Sequence, residues 1–586
     1  MRQWMVAAKK ADFYVIAEKF HVDPVVARII RNREVIGEKN IRIYLGGNLS
    51  DLSDPHQMKD MDRLVEILAQ KIRKQVHIRI IGDYDVDGVT SSHLFLTALR
   101  RVGAKVDVVI PHRIQDGYGL SLHLLQQAKE DGVDTILTCD NGIAAIDEIA
   151  WAKAQKMTVL VTDHHAVPFE EHEGRRTEKK SLADAVVNPH QQDCGYPYKE
   201  LCGAGVAWNV IRVLYENYDM DKREAEDLLD FVAMATVCDV MSLTGENRIL
   251  VKEGLKRSRH TKNIGLQALM QACNVQPENI SAYHFGYVLG PCVNATGRLD
   301  TARHALRLFE TGQETEAEEI ARDLVDLNQE RKELTLQGVE MAKKLCEEGG
   351  YENDPVLVLF LPDVHESIAG LIAGRIREMY NRPVFVLTRG EEGVKGSGRS
   401  TENYSMYENM CGCAELFTKF GGHPMAAGLS LPEENVEKFR RKINENCPLT
   451  VEEVCPDIHI DMAMPVGYAS TELVHQFALL EPFGKDNPSP LFADRNLSIS
   501  RMWLIGKNRN VLRMSVLSEY GQPVPVIFFG DVETLFAYFT EKFGQKEVEN
   551  ALHGRKNRIL FSMVYTAKID FYQGNENLQL EMKYYR

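Results

Sequence analysis

The sequence predicts an α/β protein of several domains, built around a parallel sheet and ending in a small β-barrel. Three observations carry that reading. Strand-like apolar runs alternate with helix-like segments from Val76 to His165, the pattern of a parallel sheet with helices on its faces. The chain has 586 residues, too many for one core, so three or four domains are expected. From Val451 to Arg586, short apolar stretches are separated by turns, a spacing that suits a small barrel.

Composition narrows the class. Apolar residues make up 44% and charged residues 26%, as in an ordinary globular protein. No apolar run approaches the roughly 20 residues needed to cross a bilayer. Met1-Arg2-Gln3-Trp4-Met5 lacks the apolar core of a signal peptide. The 11 cysteines show no framework, which suits a reducing cytoplasm. Cys411-Gly412-Cys413 is a close pair, but it has no partner pair nearby to complete a zinc site. A net charge of -15 argues against coating of DNA by the whole surface. It leaves room for a local basic channel.

Taken in order, residues 1 to about 75 read as amphipathic helices without chemistry, as in Val25 to Ile30 and Met61 to Lys74. Val76 to Ile81 reads as a buried strand, and Thr90 to Val102 as a helix begun by a Thr/Ser cap. Ala104 to Ile110 is a second strand, and Ser121 to Glu130 a helix with a Ser cap. Asp134 to Thr138 is a third strand, Ile143 to Gln155 a helix, and Met157 to Val161 a fourth strand. Beyond Asp239 the chain is mostly helical, with Gly290 to Asp300 as an interrupting loop. Glu316 to Glu347 is a long charged helix with Thr315 as its cap, a connector between two lobes. Pro355 to Phe360 starts a second α/β lobe, and His365 to Arg375 opens a helix behind it, able to lie near an anion.

The chemistry sits at strand ends. Asp83, Asp85 and Asp87 alternate in Gly82-Asp83-Tyr84-Asp85-Val86-Asp87-Gly88, so they share one side of an extended backbone. Like charges so close repel, and a divalent metal relieves the conflict; oxygen-rich sites suit Mg and Mn. The same spacing matches half of a calcium-binding EF-hand loop. That loop needs Glu where Leu94 stands, and a helix where Val76 to Ile81 reads as strand. Asp140, in Cys139-Asp140-Asn141-Gly142, and Asp163-His164-His165 follow the third and fourth strands. Ligands bind at that carboxyl edge of an open parallel sheet. Three loops thus deliver Asp and His to one rim, a donor set for Mn, Mg or Zn. Two metals a few Å apart form a clamp for phosphoester hydrolysis.

These residues resemble the motifs of the DHH phosphoesterase superfamily: Asp83 to Gly88, Thr138 to Gly142, Thr162 to His165, and the single Asp239 that closes the apolar Ala233-Met234-Ala235-Thr236-Val237-Cys238. Over nearly the whole length the order is similar to that of the RecJ single-strand-specific exonucleases. The resemblance implies two divalent ions, Mn2+ or Mg2+, on Asp85, Asp87, Asp140, His164 and Asp239, with Asp83 in or beside the set. It implies that Asp140 bridges the ions, that His165 faces the scissile phosphate, and that a water is the nucleophile. Arg298, in the Gly290 to Asp300 segment, is expected to touch phosphate, although a solvated Arg fits the same pattern. Gly396-Ser397-Gly398-Arg399-Ser400 and Gly421-Gly422-His423 look like the DHH-associated substrate domain; Ser397, Arg399, Gly422 and His423 are its candidates. For the barrel an oligonucleotide-binding (OB) fold is implied, with Trp503, Lys507 and Arg509 on the strand. A core Trp and a solvated basic hairpin fit those three equally well. Ser367 and Asp486 stand where such chains carry Gly.

The expected fold is therefore a two-lobed DHH core, joined by a long helix and followed by an OB-like barrel. The expected domains are a helical extension (1–75), a DHH domain (76–250), a helical connector (251–348), a DHH-associated domain (349–450) and the barrel (451–586). The resemblance implies a metal-dependent 5′-to-3′ exonuclease that reduces single-stranded DNA to mononucleotides in repair and recombination. A helicase and a single-strand-binding protein would be its partners, in the cytoplasm. The alternative is a DHH phosphodiesterase for short oligonucleotides or cyclic dinucleotides, against which residues 451–586 argue. A non-catalytic DNA-binding relative would have lost metal ligands, whereas every position here is filled. Gly203-Ala204-Gly205 lacks the third Gly of a dinucleotide fingerprint, and no Walker loop is present.

Overall fold

A computed structural model describes the chain except for residues 1, 2, 114, 115, 118, 173, 174, 391, 392, 456, 507–509 and 573, and the side chains of 171, 172, 175, 176 and 572. The expected Lys507 and Arg509 contacts lie outside the described residues. Two compact units form, one from Leu49–Pro456 and the other from Gln3–Asn48 with Asp457–Arg586.

The first unit opens with β1 (Ile78–Ile81), α1 (Val86–Arg101), β2 (Val106–Val109), α2 (Leu122–Glu130), β3 (Thr135–Cys139), α3 (Ile146–Ala154), β4 (Thr158–Thr162) and β5 (Ala185–Val187). The strands lie in the order β2-β1-β3-β4-β5, all parallel. β1 and β3 are buried at every position, as a sheet covered on both faces requires. β5 has three residues, too few to register as a periodic run. α1 starts four residues before the expected Thr90. Asp85, not Thr or Ser, is its cap, accepting from the Gly88 N–H at 3.0 Å. Helices α4 (Gly203–Asn217) and α5 (Leu229–Cys238) pack on α1 and close this core.

Two helical expectations are corrected. Gly290 to Asp300 is not a loop: Gly290–Leu299 is helix α6, continuous with a π-helical turn at Phe285–Leu289. Its glycines permit close packing and do not break it. Helix α7 (Glu314–Glu348) begins before Thr315, with Gln313 at the cap, so Thr315 lies inside the first turn.

The second lobe of this unit holds β6 (Leu357–Phe360), α8 (Ala369–Tyr380), β7 (Val384–Gly390), β8 (Gly393–Arg399), β9 (Lys419–Gly422) and β10 (Ala426–Leu431) in one sheet, ordered β9-β10-β8-β7-β6. The Gly-rich motifs are thus strands. Gly396 and Gly398 sit against Leu387 and Phe385 of β7, where a Cβ would collide.

The second unit is a barrel of β11 (Phe492–Ile505), β12 (Val511–Leu517), β13 (Pro523–Phe528), β14 (Leu560–Tyr572) and β15 (Asn575–Tyr585). It closes because β11 pairs with both β12 and β14. Residues 3–48 belong here, a correction to the helical extension of the core that the sequence suggested. Trp4–Val6 pairs in parallel with Ile458–Ile460. Val25, Val26, Ile29 and Ile30 share one apolar cluster with the barrel interior. Buried Arg33 grips Asp461 through both guanidinium nitrogens, at 2.7 and 3.1 Å. An amphipathic pattern shows that a helix packs, not against what. Asp486 takes φ 58°, the left-handed region that Gly adopts freely and Asp tolerates, which accounts for the exchange there.

His93 ties α1 to the helical layer. It is 5% exposed and packs against Phe231 and Phe309, with ring centroids at 4.5 and 5.9 Å. Burial, then the charges of Arg100 and Arg101, push it down to about 3, so it stays neutral in the fold. An unfolded His protonates near 6.5, so below that pH the unfolded state takes up a proton that the fold refuses. This stability is complete above about pH 6.5 and is lost as pH falls towards 3. A His93→Phe protein should therefore lose about 3 kcal/mol less than the parent between about pH 7 and 4. Urea unfolding at the two pH values measures the difference.

Candidate active site

The carboxyl edge of the five-stranded parallel sheet gathers every expected metal ligand. Asp83 follows β1; Asp85 and Asp87 form the cap and first turn of α1. Asp140 follows β3 with φ 61°, in the left-handed region that Asp tolerates better than most side-chain-bearing residues. His164 and His165 follow β4, and Asp239 caps the C-terminus of α5. Their donor atoms fall into three overlapping groups, each within 4.8 Å: Asp83, Asp85, Asp140; Asp87, His164, Asp239; and Asp140, His164, His165. His164 Nε2 lies 3.0 Å from Asp140 Oδ1, 3.6 Å from Asp239 Oδ2 and 3.7 Å from Asp87 Oδ2. Cys411 and Cys413 belong to none of these groups.

The local backbone explains the convergence. Gly88 packs where a Cβ would strike the backbone of Asp83, so the turn can fold back over the strand end. Asp87 is held by the first N–H groups of α4: Gly203 donates to Oδ2 at 2.6 Å and Ala204 to Oδ1 at 2.7 Å. A helix N-terminus favours an anion. A Cβ on Gly203 would lie 2.6 Å from that of Asp140, so Gly is required there. The Gly-Ala-Gly run rejected as a dinucleotide site thus serves the carboxylates. Asn141 Nδ2 donates to Ile81 O and Cys139 O at 3.0 and 2.9 Å, joining the first two loops.

The electrostatics call for a cation. Burial, then the charge of Asp87 and Asp85, raises Asp140 well above the usual carboxylate range. Burial and Asp85 do the same to Asp83, and burial and Asp87 raise Asp85. Burial pushes His164 down, so its imidazole is neutral, the form that binds metal. Asp83 Oδ1 and His164 Nε2 are buried and make no hydrogen bond. Such atoms are costly unless something coordinates them. The residues present therefore fit divalent metal.

His165 differs. Burial opposes its charge, but the hydrogen bond and charge of Asp163, then Asp239 and Asp87, push it up to about 9. Its Nδ1 donates to Asp163 Oδ1 at 2.8 Å, which fixes the orientation of the ring. Asp163 also accepts from the His164, His165 and Ile143 backbone. Burial pushes Asp163 up, but His165 holds it below the usual range.

A second cluster is cationic. Arg298 on α6 donates to Ser367 O at 2.6 Å, and Arg399 on β8 donates to Gly398 O at 2.7 Å. Arg113 lies 4.6 Å over the Tyr84 ring, between Asp83 and Asp85 in sequence. Burial, then Arg113, Arg331 and Arg399, pushes Arg298 down to about 9; burial, then Arg113 and Arg377, lowers Arg399. Mutually repelling guanidiniums would be relieved by an anion between them. Gly370 lies where a Cβ would be 2.9 Å from Arg399 Nη2, so α8 can approach. Ser367 suits its place: its hydroxyl is 2.7 Å from His365 Nδ1, and its carbonyl holds Arg298. Beside them is a cavity of about 430 Å³, lined by Tyr84, Arg113, Ser397, Lys395, Lys419 and Gly421 among others. Gly422 and His423 end β9 outside that lining, with His423 exposed.

Comparison with known proteins follows the same division. Residues 77–236 match the DHH family N-terminal domain, 353–447 the DHHA1 domain and 460–584 the RecJ OB domain. The single-stranded-DNA-specific exonuclease RecJ of Haemophilus influenzae is 32% identical over 582 residues, 96% of each chain. The chain belongs to the RecJ family of single-stranded-DNA-specific exonucleases. The Bacillus subtilis RecJ is 33% identical over 511 residues, 86% of this chain and 63% of that longer one. The chain thus spans less than two thirds of that relative. Thermus thermophilus RecJ in complex with Mn2+ superposes with a TM-score of 0.79 at 25% identity, covering 100% of this chain and 79% of that one.

Two residues that the structure brings to the candidate site escaped sequence reasoning. Arg113 is a single basic residue in a loop, and its companions lie far along the chain. Asp163 stood in the rim, but its work as the anchor of His165 shows only in space. Replacing Asp163 by Asn should lower kcat roughly 10- to 100-fold with strand affinity retained, because His165 loses its orienting partner. Single-turnover cleavage beside a binding isotherm separates the two.

Proposed function

We propose that this chain is a metal-dependent exonuclease that takes single-stranded DNA from its 5′ end and releases mononucleotides. The observation that carries the reading is the adjacency of the two clusters. Tyr84 is flanked by the ligand candidates Asp83 and Asp85, and its ring lies under Arg113. An arginine site for a terminal phosphate thus adjoins the site of hydrolysis, the arrangement an end-dependent nuclease needs.

Asp85, Asp87, Asp140, His164 and Asp239, with Asp83, would hold two divalent ions, Mn2+ or Mg2+. When bound, these supply an acidified water and neutralise phosphate charge. Asp140 and His164 each belong to two of the three donor groups, so both would be central to holding the ions. The chain's own residues do the rest. Arg113, Arg298 and Arg399 grip the phosphate, and Ser397 lines the adjoining cavity. His165, fixed through Nδ1, presents Nε2–H to the scissile phosphate, stabilising its charge and supplying the departing oxygen's proton.

In the barrel, Trp503 faces Arg513 across the β11–β12 ladder, and Arg501 and Arg513 lie 5.8 and 5.9 Å from its ring. This is a surface for bases and backbone. It supports a strand substrate over a dinucleotide. The family role in repair and recombination, beside a helicase and a single-strand-binding protein in the cytoplasm, completes the proposal. No helix among the described residues is long and apolar enough to cross a membrane.

A strand labelled at its 5′ end should yield labelled mononucleotide early, and chelator should stop it. Asp140→Ala should abolish cleavage while the metal-free protein melts no lower than the parent, since a buried like charge is removed. Wild-type-like activity would remove Asp140 from the set that holds the ions. Arg399→Ala should weaken strand binding about tenfold to a hundredfold with metal retained. Unchanged affinity would count against the second lobe as a substrate site.

A further inference from the structure

We propose that Tyr283 and Tyr287 form a base-stacking platform for the substrate strand on the far side of the metal cluster from the arginines. The two rings stand 5.3 Å apart at an interplanar angle of 25°. They are 63% and 73% exposed, a large apolar area to leave in water without a partner. No other function described above uses them.

Their position supplies the ligand. The helical run from Ala282 to Leu299 passes along the metal-bearing loops with Gly286, Gly290, Asn294 and Gly297 inward. These residues meet, in turn, Val237, Cys238, Val86 and Tyr84. Asp239 follows Cys238, and Asp85 lies between Tyr84 and Val86. The run therefore carries Arg298 at one end, crosses the metal ligands in its middle and carries the tyrosines at the other end. Tyr287, Asn294 and Arg298 are spaced at helical periods, so they share a side, with about 16 Å of rise between Tyr287 and Arg298.

The turn that carries the tyrosines is also tied to the residue beside Asp239. The Cys238 thiol, next to Asp239, donates to Phe285 O at 3.3 Å. That carbonyl belongs to the π-helical turn between the two tyrosines, an irregularity that recurs at functional sites. A strand whose terminal phosphate sits on the arginines and whose backbone crosses the metals arrives at these rings with its next bases. Stacking there is indifferent to sequence, as a nuclease that degrades any strand requires.

The inference rests on the strand-hydrolysis reading, and the test separates the two. Binding is measured by fluorescence anisotropy in the Asp140→Ala background with a long single strand, a dinucleotide, and a long strand with abasic sites beyond its first nucleotides. The Tyr283→Ala/Tyr287→Ala pair should weaken long-strand binding roughly tenfold and leave the dinucleotide unaffected. Abasic sites should cost the parent the same factor and cost the double variant nothing more. Tyr283→Phe/Tyr287→Phe should bind like the parent. Long-strand affinity equal to the parent's, or an equal loss on the dinucleotide, overturns the platform. Cleavage surviving in Asp140→Ala would instead overturn the metal-centre reading, and the same isotherms, taken with chelator, would still decide the tyrosines.

Discussion

Buried carboxylates that repel one another at the end of a parallel sheet govern this molecule. Asp83, Asp85, Asp87 and Asp140 converge at one edge, and burial, then repulsion from neighbouring carboxylates, drives the proton affinity of Asp83, Asp85 and Asp140 upward. The fold tolerates the arrangement through fixed dipoles: the first N–H groups of α4 on Asp87 and the Gly88 N–H on Asp85. Without those donors the loops would splay. With them the site stays assembled and short of positive charge, the condition for a tight divalent cation.

The surrounding architecture reads as a set of approaches to that point. Glycine stands wherever an element comes close: Gly88 over Asp83, Gly203 beside Asp140, Gly297 against Tyr84, Gly370 beside Arg399. Each removes a side chain so that a backbone or a guanidinium can close the gap. Positive charge is concentrated in the Arg113, Arg298 and Arg399 cluster while the chain as a whole carries -15. Attraction for a polyanion is thus local to this cluster.

The gathering of most candidate ligands was legible in the sequence because they follow strands, and the strand ends of a parallel sheet share one edge; Asp239, at the end of helix α5, was reached only through the family resemblance. The same logic could not reach Arg113, whose partners Arg298 and Arg399 come from distant elements. Local propensity also misled where tertiary contact decides. Thr and Ser near residue 90 make good caps, but Asp85 takes that role because the carboxylate turn fixes where α1 begins. Gly290 and Gly297 suggested a break, yet they are there so that α6 can pass close to Cys238 and Tyr84. The helices before residue 49 were read as part of the core, since amphipathicity carries no address.

That last arrangement bears on how the chain is made. The unit holding the barrel needs Trp4–Val6 beside Ile458–Ile460 and Arg33 beside Asp461, segments more than four hundred residues apart. At ordinary elongation rates of about 5–20 residues per second, the leading helices emerge tens of seconds before their partners exist. They must wait, with Val25, Val26, Ile29 and Ile30 uncovered, while the intervening unit folds on its own sequence. The chain is thus assembled from the inside out. A segment made early finds its place late, and in that interval its apolar face is open to a chaperone.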